Sequence, residues 1–222
     1  MSLPKRTVIT TGDGSKTLHM EDWDEQYHSK HGAIAEAYHV FIKSGLECLD
    51  KQKIDILEIG FGTGLNALIT YSEAQKNKLQ INYVGVEAYP VPMEQAIEMD
   101  YATKIEGEGL QEVFQKMHSV EWNNPIDINT EFRLTKRAQK FQDIDDQNSF
   151  DLIYFDAFGY RVQPELWSKE IFEKMYQSLK EGGVLVTYAA KGVVRRTMQE
   201  VGFTVERIPG PPGKREMLRA TK

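Results

Sequence analysis

Leu57-Glu58-Ile59-Gly60-Phe61-Gly62-Thr63-Gly64-Leu65-Asn66 runs an apolar strand into three alternate glycines and then into a helix-compatible segment. Glycine at alternate positions turns the backbone tightly and lets it approach a ligand with no Cβ in the way. A helix that starts here points unpaired N–H groups at the same place. The stretch therefore reads as a cofactor loop. It differs from a dinucleotide fingerprint in two ways: the third glycine of G-x-G-x-x-G would fall at Leu65, and an acid, Glu58, stands two residues before Gly60. A turn that served only to join a strand to a helix would need neither three glycines nor a flanking carboxylate.

Outward from this loop, short apolar runs alternate with amphipathic stretches, the pattern of a doubly wound α/β sheet. Strands are predicted at Ile54–Ile59, Ile81–Glu87, Phe132–Thr135, Phe150–Asp156 and Val184–Tyr188, the last introduced by the turn Glu181-Gly182-Gly183. Two further strands, Phe203–Ile208 and Glu216–Ala220, flank the proline-rich loop Pro209-Gly210-Pro211-Pro212-Gly213 and read as an antiparallel hairpin at the sheet edge. His31 to Leu49 carries Ile34, Ala37, Tyr38, Phe41, Ile42, Leu46 and Leu49 at helical spacing, which predicts one helix covering the sheet. Residues 1–50 are expected to form an N-terminal extension with that helix, and residues 51–222 the α/β domain. The connection from 100 to 128 is long, includes a helix over Leu110–His118, and is a candidate lid or substrate contact.

Composition sets the surroundings. A chain of 222 residues can bury a sizeable core. No apolar run approaches the ~20 residues of a membrane span. The start, Met1 to Arg6, lacks the apolar segment of a signal peptide, so a soluble, cytoplasmic protein is expected. The one cysteine, Cys48, excludes an intrachain disulfide and is expected to be a small buried group on a helix. His28, His31 and His39 lack companion ligands at metal spacing, and no metal is expected. Trp23, Trp122 and Trp167 are read as packing residues. A net charge of -6 disfavours a general polyanion binder, although a local basic surface would override the total.

The strand ends hold the candidate chemistry. Glu87 closes the second strand, where nucleoside-binding α/β folds place a carboxylate whose two oxygens match two ribose hydroxyls. Asp156 ends the fourth and opens Asp156-Ala157-Phe158-Gly159-Tyr160, an acid followed by aromatics that suits an amine on an aromatic base; a helix cap with core aromatics would use the same residues.

Two levels of resemblance join these features. E-x-G-x-G-x-G, with Glu58, Gly60, Gly62 and Gly64, resembles the first motif of S-adenosylmethionine (AdoMet) methyltransferases. More specifically, Gly60 to Asn66 match the G-F-G-T-G-L-N loop of the MnmC methyltransferase family. Asp156, Ala157, Phe158, Pro164 and Trp167 match its D-[GA]-F-x-x-x-x-N-P-x-x-W, with Gln163 in place of Asn. Gly192, Val194, Arg195, Arg196, Gly202 and Phe203 match G-x-V-R-R-x-L-x-x-x-G-F, with Met198 in place of Leu, and Lys214 to Leu218 match K-R-E-M-L. Tyr27-His28-Ser29 and Glu36 resemble a Y-[FH]-S…E pattern near the amino end. Four motifs in order cover nearly the whole chain.

The resemblance implies a class I, Rossmann-like methyltransferase sheet with AdoMet on Glu58, Gly60, Gly62, Gly64, Asn66 and Glu87. It implies methylation of 5-aminomethyl(-2-thio)uridine at the wobble position of tRNA, with Asp156 as the catalytic carboxylate. Substrate contacts would come from Tyr27, Phe158 and Tyr160 beside the uracil, and from Lys191, Arg195, Arg196, Lys214 and Arg215 on phosphates. An acid that holds adenine after the third strand in many members is missing from Thr135-Lys136-Arg137-Ala138-Gln139, which leaves Gln139 or the backbone for that contact. The chain ends at Lys222, without the length of the flavin oxidase domain fused in some members, so methyl transfer alone is expected. Two other readings use the same residues: an AdoMet-type enzyme acting on a small amine, similar to polyamine synthases, and a methyltransferase-like module that binds RNA without catalysis.

Overall fold

The computed structural model describes residues 5–222; Met1–Pro4, part of the stretch read above for a signal peptide and of the 1–50 extension, lie outside the described residues. The chain opens with a small antiparallel sheet of β1 (Arg6–Thr10), β2 (Lys16–Met20) and β3 (Glu25–Gln26). Helix α1 (Ala33–Ala37) follows and runs on as a wider π-type turn over Tyr38–Lys43. The single helix expected over 31–49 therefore does not form. The Ser44 N–H and hydroxyl both bond to His39 O, closing the coil five residues back, and a separate short turn carries Leu46–Cys48. Cys48 on that turn is exposed, contrary to its expected burial, and its sulfur lies 3.1 Å from Arg219 Nη1.

The main sheet is laid down by β4 (Lys53–Ile59), α2 (Leu65–Asn77), β5 (Gln80–Val86), α3 (Met93–Ile97), α4 (Leu110–Ser119), β6 (Pro125–Asp127), β7 (Phe132–Arg137) and β8 (Phe150–Phe155). It is completed by α5 (Lys169–Ser178), β9 (Leu179–Thr187), α6 (Gly192–Val201), β10 (Thr204–Pro209) and β11 (Glu216–Thr221). Strand order is β10-β11-β9-β8-β4-β5-β7-β6. β7, β5, β4, β8 and β9 are mutually parallel, as the alternation of runs predicts. The late hairpin sits at the edge as expected, with β11 inserted antiparallel between β9 and β10.

Each central strand is apolar on both faces, and alternate residues feed two cores. Ile56, Tyr83, Leu134 and Tyr154 pack under α1, α2 and α4, whereas Leu57, Ile59, Val84 and Phe155 pack under α5 and α6. At the amino ends of the strands, Asp151 accepts from Lys51 Nζ, Lys180 Nζ and the Asp55 N–H at 2.6, 2.9 and 2.9 Å. Burial alone would raise the Asp151 pKa, but these bonds hold it below its ordinary value and pin β4, β8 and β9 in register. The chain leaves β4 toward β5 and later returns to β8 on the other side. That reversal opens a crevice at the carboxyl ends of β4 and β8, where open α/β sheets bind ligands.

Candidate functional site

A cavity of about 260 Å³ occupies that crevice. Gly60 and Phe61 both donate to Val86 O at 3.0 Å, which folds the loop after β4 back across the end of β5. Gly60 has φ 93°, and a Cβ there would stand 2.6 Å from the Asp156 carbonyl oxygen. Gly62 has φ 51°, and its missing Cβ would meet the Tyr27 ring at 3.1 Å. The two glycines thus let the loop pass between the end of β8 and the amino-terminal segment. Its free N–H at Gly62 donates to Glu87 Oε2 at 3.1 Å, while Tyr89 N–H donates to Oε1 at 2.9 Å. Burial raises the Glu87 pKa, and these two bonds work against the rise.

On the other side of the loop, Asn66 in the first turn of α2 connects two acids. Its Nδ2 donates to Glu58 Oε1 and to Asp156 Oδ2, both at 2.9 Å. Glu58 is 1% exposed and sits behind Asn66 rather than on the cavity wall. Burial pushes its carboxyl well above the ordinary range; the Asn66 bond opposes this and the neighbouring Asp156 adds to it. Burial likewise pushes Asp156 up to about 7, against the Asn66 bond, with Glu36 raising it and Lys214 lowering it. Asn66 Oδ1 is buried with no hydrogen-bond partner, whereas the free oxygen of Glu58 faces the buried Tyr83 hydroxyl. An unsatisfied buried acceptor is costly, and Asn66 Oδ1, beside two acids, suits a cationic group.

The remaining wall comes from segments that pattern reading did not connect to the site. Arg6, Met20, Trp23, Gln26 and His28 reach the cavity from the amino-terminal sheet and its following loop, beside Tyr27. The Tyr27 ring and the Trp23 ring stand edge-on to Phe158, at 5.0 and 5.6 Å between centroids. Trp23 is therefore part of the cavity rather than a packing residue. The 100–128 connection, expected as a lid or substrate contact, contributes nothing to the cavity wall; α4 lies under the glycine loop, where His118 Nε2 stands 3.1 Å from Thr63 O. The cover is the amino-terminal sheet, fastened by Arg161, whose Nη2 lies 3.0 Å from Asp24 O and 3.2 Å from Glu25 Oε2.

Of the residues singled out in the sequence, Gly60, Gly62, Asn66, Glu87, Tyr27, Asp156 and Phe158 meet on this cavity. Gly64 stands behind the wall as the cap of α2. Asp156 is not a helix cap: its side chain takes the Asn66 bond, and the Phe158 backbone is held by Trp167 Nε1 at 2.8 Å. Lys140, Phe141 and Gln142 line the end beyond Glu87, whereas Gln139 does not reach it. Tyr160, Lys191, Lys214 and Arg215 lie apart, on a second groove behind Tyr188. Lys214 is engaged there: its Nζ is 2.5 Å from Glu36 Oε1 and 4.0 Å over the Tyr188 ring. Glu36 Oε2 in turn accepts from Ser29 N–H at 2.8 Å, which joins the two halves of the Tyr27-His28-Ser29…Glu36 pattern. Arg195 and Arg196 lie on α6, outside both cavities. No metal-binding cluster of histidine, cysteine and acids occurs among the described residues.

A family described as S-adenosyl-L-methionine-dependent methyltransferase matches residues 108–222, more than half of the chain. The chain belongs to this methyltransferase family. The match spans α4 to β11 and includes Asp156. Among curated relatives, the tRNA 5-methylaminomethyl-2-thiouridine biosynthesis bifunctional protein MnmC of Cupriavidus necator is 30% identical over 216 residues, covering 90% of this chain and 32% of that protein. The MnmC of Marinomonas sp. is 29% identical over 216 residues, covering 90% of this chain and 31% of that protein. The chain thus spans about a third of the length of these relatives. Among solved structures, MnmC2 from Aquifex aeolicus superposes with a TM-score of 0.78 at 23% identity, over 98% of this chain and 70% of that one. Spermidine synthase from Thermotoga maritima gives 0.59 at 14% identity, over 100% and 69%. Both establish the class I methyltransferase fold. As a family member the methyltransferase uses AdoMet, and the unpartnered Asn66 Oδ1, whose residue lines the cavity, fits a cofactor that carries cationic centres. No helix of the described residues is long and apolar enough to cross a membrane.

Proposed function

We propose that this methyltransferase methylates the aminomethyl nitrogen of 5-aminomethyl(-2-thio)uridine in tRNA, giving the 5-methylaminomethyl product. The observation that carries the reading is the placement of Asp156 on one cavity with Asn66 and the aromatic wall of Tyr27, Trp23 and Phe158. Relatives that cover 90% of the chain are named for this modification of tRNA, which supports it.

When bound, AdoMet supplies an electrophilic methyl on a sulfonium. Glu87 would take the ribose hydroxyls with the lone pairs left free by Gly62 and Tyr89, and Gln142, on the same wall, would offer its side-chain amide to the adenine edge. Asn66 Oδ1, left without a partner, would accept from the cofactor's ammonium. Gly60 and Gly62 keep the floor free of Cβ atoms. On the acceptor side, Phe158 and Tyr27 would hold the uracil, and Asp156 would accept a hydrogen bond from the amine so that its lone pair faces the methyl. With the methyl transferred, the acceptor nitrogen would carry a positive charge and a proton to lose. A carboxyl poised at about 7 can take that proton and return it to solvent at neutral pH. A free polyamine acceptor would leave the exposed cations Lys191, Arg196 and Arg215 without a role.

The deciding experiment is transfer of labelled methyl from AdoMet to tRNA taken from cells that lack this gene, followed by nucleoside analysis. Label in 5-methylaminomethyl(-2-thio)uridine supports the reading. Label in no nucleoside, with methylation of a small amine instead, replaces it.

A further inference from the structure

Tyr188 forms a wall between two cavities. One face borders the Asp156 pocket, and the other borders a groove of about 480 Å³ that opens beside it. The Tyr188 hydroxyl donates to Ala157 O at 2.8 Å, which holds this wall in place. The groove has an aromatic and aliphatic lining from Tyr160, Trp167, Ala189 and Ala190. Cations stand around it. Arg161 is neutralised by Glu25 and Lys214 by Glu36, and Glu216 on the rim pairs with Arg207 at 3.7 Å. Lys191 and Arg215 have no acidic partner among the described residues, and both are exposed. The groove therefore carries unmatched positive charge in a chain of net charge -6.

We propose that this groove is a second nucleotide subsite, which takes the RNA residue adjacent to the one whose base enters the Asp156 pocket. The inference rests on the tRNA reading above and deepens it. Two features select a nucleotide. Tyr160 is half-buried against the core, and Lys191 Nζ lies 5.0 Å over its ring, so a flexible side chain covers that face. Stacking of a base on an aromatic ring outweighs an exposed cation–π contact, so an arriving base displaces Lys191 from the ring and turns its charge toward the phosphate. Arg215 on the opposite rim supplies a second phosphate contact. Sequence-tolerant stacking beside cations is the means by which proteins hold single-stranded nucleic acid. An acidic peptide would use the cations and leave the Tyr160 face idle. The division of labour also reassigns Tyr160: Phe158 faces the target uracil on one side of Tyr188, and Tyr160 faces its neighbour on the other.

The test compares kcat/KM for an anticodon stem-loop RNA carrying 5-aminomethyluridine with kcat/KM for the isolated 5-aminomethyluridine nucleoside. In Tyr160→Ala the ratio of the two is expected to fall by about tenfold, the scale of one stacked base, and Tyr160→Phe is expected to restore it. AdoMet binding by calorimetry reports whether each variant is folded. A ratio that stays within twofold of wild type in folded Tyr160→Ala overturns the subsite alone. An acidic peptide that competes with the stem-loop equally well against wild type and Tyr160→Ala reassigns the groove and overturns it as well. Wild-type protein that binds AdoMet yet methylates no RNA overturns the function and the subsite together.

Discussion

Asn66 stands 2.9 Å from Asp156 with its amide nitrogen, and that same nitrogen is 2.9 Å from Glu58. One donor thus serves two acids that burial pushes toward protonation, and the charge state of the site is coupled through a single side chain. A raised carboxyl pKa favours the fold below the ordinary carboxylate range, and that contribution is lost as the pH rises through the folded value, about 7 for Asp156. A cationic cofactor favours the ionised forms. AdoMet should therefore bind with proton release, its affinity rising between pH 6 and pH 8 by at most about tenfold per pH unit for each proton released. Its thermal stabilisation of the protein should grow over the same window. Asn66→Ala removes the donor and should move the rise to higher pH. Calorimetry in buffers of different ionisation enthalpy checks this, and an affinity independent of pH would refute the coupling.

Asp156 separates chemistry from cofactor binding. Asp156→Asn keeps the side-chain shape and an acceptor for Asn66, but cannot take a proton. Single-turnover methylation of aminomethyluridine RNA should slow by about 10²-fold or more, the usual scale for a positioned acid or base. AdoMet affinity should fall no further than the wild-type value at pH 6, because the amide stands in for the protonated carboxyl. If turnover persists within a few-fold, Asp156 only shapes the loop, and the acceptor lies elsewhere.

The glycine loop gives a binding test independent of chemistry. At Gly62 the backbone has φ 51° and the Tyr27 ring waits 3.1 Å from the missing Cβ, so Gly62→Val combines backbone strain with a clash at the cavity wall. AdoMet binding should be lost by calorimetry while circular dichroism stays close to wild type. Glu87→Ala should weaken AdoMet by roughly 1.5–3 kcal/mol, the range for charge-assisted hydrogen bonds. Retained affinity in both variants would remove the loop from the cofactor site.

What the sequence exposes and what it hides divides along the range of the interactions. Leu57 to Asn66 announces its strand, turn and helix because each signal lies within ten residues, and Glu87 and Asp156 follow from their places at strand ends. The five parallel strands and the edge hairpin were legible from runs such as Phe150–Phe155. The amino-terminal sheet was not, because β3 is two residues long and β1 and β2 alternate weakly. Arg6 and Trp23 reach the cavity only through tertiary packing, and no local pattern marks them. The helix over 31–49 failed for a different reason: the apolar spacing is helical, but Ser44 captures His39 O and ends the coil. Lys214 shows the same limit. A lysine in a basic motif reads as a phosphate contact until Glu36, 178 positions away, is seen beside it.

Lys214 and its neighbours should therefore respond differently to mutation. Lys191, Arg196 and Arg215 are exposed and without acidic partners among the described residues, so each that meets a phosphate should make the log–log salt slope of RNA affinity shallower by ~0.7 when changed to alanine. Arg195, half-buried with its Nε unpartnered, should act with them if it turns outward on RNA binding. Lys214→Ala should leave the slope unchanged. What it removes is the bond to Glu36, which ties the loop of the edge hairpin to Ser29 next to Tyr27 and His28 on the cavity wall. Loss of that partly buried pair should cost about 1–2 kcal/mol of stability and lower Tm by roughly 2–8 °C. It should also raise Asp156 further, since the lysine charge that lowers its pKa is gone. The pH at which methylation reaches half its maximum should then shift upward in Lys214→Ala and stay put in Lys191→Ala. A salt slope that falls in Lys214→Ala as it does in Lys191→Ala, with no change in the pH profile, would return Lys214 to the RNA surface.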